Sequence, residues 1–179
     1  MPKNLEETDQ SISMKKCIIE EMKNIFREAE YGVVHTMRVL EHAEAIAKQE
    51  KLADDQLECV SIAAILHDIG AIEALKKYGN MSGPNQEIEG PPIVRGILYK
   101  VGASAELTDR ICYIVGHHHT FEAIDGIDFQ IIWEADLLEN MKVLEVQKDK
   151  ERLKQFINEH FVTQSGKSRA EALYLETVR

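Results

Sequence analysis

Apolar residues recur at i, i+3, i+4 and i+7 in nearly every stretch of this chain that is not turn-like, and strict alternation over a strand length is hard to find. That period belongs to helices that bury one face, so the fold is expected to be all-α. A chain of 179 residues fits one domain of ordinary size, about 150 residues, and can bury a sizeable core. We therefore expect one domain over residues 1–179, its site in a core of about 31–146 and its C-terminal helices, 150–179, packed on that core.

The pattern predicts a first helix over Ser13 to Ala29 and a second over Val33 to Lys51, parted at Gly32. A third opens on the capping-box text Asp55-Gln-Leu-Glu58 and runs to Gly70, which puts His67 and Asp68 in its last turn. Residues 76–92 hold three of the ten glycines and three of the four prolines, which predicts a loop suited to a lid or a substrate contact. Helical pattern returns at Ile93 to Val101, again from Ser104 through His119, and from Phe129 to Val146. Two polar-headed helices follow, with Ser165 to Ser168 read as the turn between them because Ser168 and Glu171 form a second capping-box text. This is not a phosphate loop, since GxxxxGKS requires glycine at the position of Phe161.

A net charge of −10 argues against a nucleic-acid or anionic-membrane surface, which needs clustered Lys and Arg. Cys17, Cys59 and Cys112 have no CxxC spacing and are read as reduced core residues rather than disulfides or zinc thiolates. No apolar leader follows a basic start and no run is long enough to span a bilayer, so a cytoplasmic location is expected.

The chemistry is carried by histidines and aspartates on apolar stripes. His35 shares a face with Val39 and Ile46, His67 with Val60 and Ala64, His118 with Leu107 and Val115, and Asp136 with Phe129 and Ile132. An ionised Asp in an apolar setting costs several kcal/mol unless it is paired, hydrogen-bonded or metal-bound. Inward aspartates beside inward histidines point to a divalent transition metal, with Fe, Mn, Co, Ni and Zn all compatible with this donor set. His42, two turns beyond His35, is too distant to share an ion and is placed in solvent or at the rim, and His160 is placed on the surface. His117 and His119 flank His118 at about 100° on a regular helix, so not all three can face one ion. His118 is the first choice and His117 the second.

The order His35, His67-Asp68, Asp136 resembles the HD-domain superfamily of metal-dependent phosphohydrolases over about residues 35–140. HTMRVLEHA is similar to its first ligand helix, ILHDIG to its dyad helix and WEADLLEN to the helix bearing its last aspartate. The EGPP, GHHH and EADLL segments are similar to a small bacterial branch of predicted HD hydrolases. The resemblance implies a helical bundle in which His35, His67, Asp68 and Asp136 hold one metal, with Asp68 also able to accept a proton from the attacking water. Two-metal relatives place a histidine where this chain has Glu89, so Glu89 and His118 are implied as holders of a second ion. The absence of HDxxED and of GYP sets it apart from the alarmone and cyclic-di-GMP hydrolases.

The implied activity is hydrolysis of a nucleotide or other small phosphate ester. A di-iron oxygenase and a metal-binding signalling module are the competing functions within the superfamily. Arg38, Lys76, Lys77 and Arg95 are available to phosphate oxygens, although each alone reads as a solvated charge. Apolar faces on the terminal helices allow a homo-oligomer, but ordinary core packing accounts for them equally well.

Overall fold

A computed structural model describes residues 5–144 and 149–175. The described residues form α1 (Leu5–Ile25), α2 (Glu30–Gln49), α3 (Asp54–Leu66), α4 (Ala71–Tyr78), α5 (Gly83–Lys100), α6 (Ala105–Val115), α7 (Ile127–Asn140), α8 (Lys150–His160) and α9 (Gln164–Tyr174), with short 3-10 turns at Phe121–Ala123 and Met141–Val143. No strand occurs among them, and the all-α expectation holds.

The central element is α3, buried on every side from Cys59 to Leu66. This follows from a segment, CVSIAAIL, that has no polar stripe to offer water. Around it pack α1, α2, α6 and α7, while α5 lies across α4 and α6. On α2 the inward face carries His35, Val39, Ala43 and Ile46, so the same stripe that anchors the helix aims His35 at the core. The C-terminal pair reaches α7 and α2 through α9.

Several expected boundaries move. The loop predicted over 76–92 is largely helix: α4 continues to Tyr78 and α5 begins at Gly83, with Pro91 and Pro92 inside it. Proline removes backbone bonds to the carbonyls of Glu87 and Ile88, but packing against neighbouring helices overrides that cost. Gly70 shows how tightly α5 approaches, since a Cβ there would sit 2.4 Å from the Gln86 carbonyl and 2.7 Å from the Gly90 nitrogen. Its φ of −74° is ordinary, so what glycine provides at position 70 is space.

The third helix starts one residue before its expected cap. Ala53 occupies the N-cap and the Gln56 side chain accepts from its backbone N–H at 3.3 Å, so the Asp55–Glu58 box does not form the start. Residues 165–168 are the first turn of α9, not an interhelical turn, because the Thr163 hydroxyl caps the helix by accepting from Gly166. The last core helix ends at Asn140, and Val146, its expected end, lies outside the described residues. Cys17 is exposed rather than core, whereas Cys59 and Cys112 are buried.

Candidate metal centre

Three elements deliver the principal donors: α2 brings His35, the turn that closes α3 brings His67 and Asp68, and α7 brings Asp136. The Nε2 atoms of His35 and His67 lie 3.3 Å apart. His35 Nε2 is 3.0 Å from Asp136 Oδ1 and 3.4 Å from Asp68 Oδ2, and His67 Nε2 is 3.6 Å and 3.3 Å from the same atoms. Metal–ligand bonds of about 2.0–2.2 Å hold neighbouring donors about 3.0–3.4 Å apart; His35, His67 and Asp68 are spaced so as to share one ion, and Asp136 Oδ1 lies within 3.6 Å of both imidazoles. The His67 imidazole is oriented from behind, its Nδ1 meeting the Ala64 carbonyl at 2.8 Å. A carbonyl only accepts, so that nitrogen carries the hydrogen and Nε2 faces the cluster. Asn140 donates to Asp136 Oδ1 at 3.0 Å from one turn further along α7.

Burial and charge oppose each other here. Burial by itself would push the Asp68 and Asp136 carboxyls up, but His67 and His118 beside Asp68, and His35 and His67 beside Asp136, hold both well below the usual carboxylate range. Burial likewise acts to lower His67, and the Asp68 and Asp136 carboxylates outweigh it and hold the imidazole well above its ordinary value. The cluster therefore favours positive charge at its centre, as a site for a cation must.

A second group of donors shares Asp68. His118, His119 and Asp68 each offer an atom within 4.8 Å of the others, and His118 Nε2 lies 3.3 Å from Asp68 Oδ1. His118 is fixed as His67 is, through Nδ1 to the Val115 carbonyl at 2.8 Å. The two oxygens of Asp68 thus face different histidine sets. On a regular helix His119 would point about 100° away from His118. In fact α6 stops at Val115, and the turn that follows brings the buried His118 and the exposed His119 to the same carboxylate. His117 turns away, its Nδ1 on the Tyr113 carbonyl at 2.8 Å and its ring over Tyr113.

Glu89 is not among the donors that converge. Its carboxylate accepts from Lys77 Nζ at 2.6 Å and from the Tyr78 hydroxyl at 2.7 Å, so it joins α5 to α4. His42, expected in solvent or at the rim, is buried and accepts from Arg169 Nε at 2.7 Å. His160, expected at the surface, is half-buried and stacks on Phe156.

A cavity of about 390 Å³ opens onto the cluster, walled by Phe26, Tyr31, Ile72 and Met81 on its apolar side and by His35, Asp68, His119 and Asp136 on the other. No lysine or arginine lines it among the described residues. The cations that sequence offered are engaged elsewhere: Arg38 with Glu139 at 3.0 Å, Lys77 with Glu89, Arg95 with Asp109 at 2.8 Å and Lys76 near Glu73 at 4.0 Å.

The HD-domain family matches residues 32–174, a span that contains every one of these donors. The chain belongs to the HD-domain family. HD domains bind divalent metals, and the His-Asp cluster has the donors to do so. A crystal structure of a predicted HD superfamily hydrolase from an uncultured Thermotogales bacterium aligns at a TM-score of 0.68 and 24% identity, covering 90% of this chain and 85% of that one. At that identity the likeness shows a shared HD fold. Comparison with curated proteins gives no match.

Proposed function

We propose that this HD-domain protein is a metal-dependent phosphohydrolase acting on a nucleotide or another small phosphate ester. The observation that carries the reading is the clustering of His35, His67 and Asp68, with Asp136 beside both imidazoles, at a cavity that no lysine or arginine lines among the described residues. Divalent ions bound here would supply the charge that draws a phosphate and lowers the pKa of an attacking water. His35, His67, Asp68 and Asp136 would hold the first, and Asp68, His118 and His119 a second.

Asp68 is the residue assigned the proton. One of its oxygens faces His35 and His67 and the other faces His118, so the carboxylate stands between the two groups, where it can accept a proton from the attacking water. Asn140 steadies Asp136, and the Ala64 and Val115 carbonyls keep the His67 and His118 rings in the orientation that presents Nε2. The apolar walls formed by Phe26, Tyr31, Ile72 and Met81 would hold the organic part of the ester. A cavity of about 390 Å³ lies within the range of small-molecule sites.

The test is phosphate release by metal-stripped protein reloaded separately with Mn, Fe, Co, Ni and Zn, against phosphomonoesters, nucleotides and dinucleotides. We expect metal-dependent release that falls at least a hundredfold in Asp68→Ala and is lost with metal binding in His67→Ala. Dioxygen uptake by the iron form, with no phosphate released by any form, would instead establish an oxygenase.

A further inference from the structure

The turn that carries His118 and His119 is gripped from α5 by one carboxylate. Glu87 Oε1 accepts from the backbone N–H of His119 and from the Thr120 hydroxyl, both at 2.9 Å. Gly83 stands one turn earlier on the same face of α5. A Cβ at position 83 would lie 2.8 Å from the His119 ring, so that ring lies against bare backbone. One face of α5 thus does two things to one histidine: Gly83 makes room for its ring and Glu87 fixes its backbone. Glu89 points to the other side, towards Lys77 and Tyr78 of α4.

His118 does not depend on this device, since its ring is held by its own Val115 carbonyl. The His119 ring packs on the His118 ring, centroids 4.0 Å apart, and its backbone is set beside Asp68 by the Glu87 carboxylate of α5. We propose that Glu87 is a positioning residue for a second divalent ion, holding His119 in register with His118 and Asp68. The inference rests on the two-ion reading given above. Glu87 touches neither substrate nor ion in this account and acts through the His119 backbone. An acceptor oxygen at this position is what matters, not its charge.

Titration of the metal-stripped full chain with Mn²⁺, followed by calorimetry and electron paramagnetic resonance, separates the possibilities. Wild type is expected to take two ions. Glu87→Ala should leave the first unchanged and weaken the second at least tenfold, in line with the effect of removing partners that orient metal ligands. Glu87→Gln, which keeps an acceptor oxygen, should restore the second ion to near the wild-type affinity, and Gly83→Ala should weaken it by crowding the His119 ring. Unchanged affinity for both ions in Glu87→Ala, even with a lowered Tm, would overturn the inference while leaving the two-ion reading intact. Equal weakening in Glu87→Ala and Glu87→Gln would also overturn it. A single ion in wild type would overturn the two-ion reading and the inference together.

Discussion

His35 and His42 share α2 two turns apart, and their environments differ in the partner each meets. His35 faces two carboxylates, whereas His42 is held against the Arg169 guanidinium. Burial, then the Arg169 charge, lowers His42 to about 4 against the opposing pull of Glu139 and Glu41. A depressed histidine is neutral when folded and protonates more readily when unfolded. The stability it contributes is therefore complete above about pH 6.5 and is lost as pH falls from there towards 4. In His42→Gln, which retains an acceptor for Arg169, the decline of unfolding free energy between those pH values should be shallower than in wild type. Urea titrations across that range check it, and parallel curves would show that His42 does not carry the dependence.

The same contrast explains what could be read at this scale. His35, His67, Asp68 and Asp136 were legible because each sits on or beside an apolar stripe whose direction a helical period determines. His42 sits two turns from His35, close to the same stripe, but its partner is 127 residues away, and no local pattern announces such a pairing. His119 and Glu87 escaped because their geometry depends on α6 ending at Val115, beside a Gly116 whose missing Cβ would meet Pro91 of α5 at 3.2 Å, a contact between helices that no local period announces.

At the scale of elements, α5 departs most from its sequence. Its glycines and prolines read as breakers, yet Gly83 and Gly90 remove side chains where α5 meets the His119 ring and Val115 of α6. Residues that signal a loop in isolation here permit close helix contact. A second joint ties α7 to the C-terminal pair. Glu134, fully buried, accepts from the Val162 and Thr163 backbone N–H groups at 2.6 and 2.9 Å, from the Thr163 hydroxyl, and from Gln130 at 2.8 Å. Its charge also lies at the N-terminus of α9, where the helix dipole favours an anion. Glu134→Ala strands at least three buried donors at about 1–3 kcal/mol each, so a loss of about 3 kcal/mol or more is expected in denaturant unfolding. Glu134→Gln should cost less, and a loss under about 1 kcal/mol in Glu134→Ala would mean the joint is held by packing instead.

Across the whole molecule, an acidic chain sets two carboxylates, Asp68 and Asp136, beside three buried histidines. The all-α class was legible because a single period runs through most of the chain. The tertiary joints were not, since Glu134, Arg169 and Glu87 each act on residues far away in sequence. Among the described residues no helix is long and apolar enough to cross a membrane. The arrangement makes sense as a cation site at a cavity that no lysine or arginine lines among the described residues, and that claim has a direct test. Anomalous diffraction from Mn²⁺-soaked crystals should show a peak bounded by His35 Nε2, His67 Nε2, Asp68 Oδ2 and Asp136 Oδ1. Manganese bound only elsewhere, with no peak inside that cluster, would contradict the account.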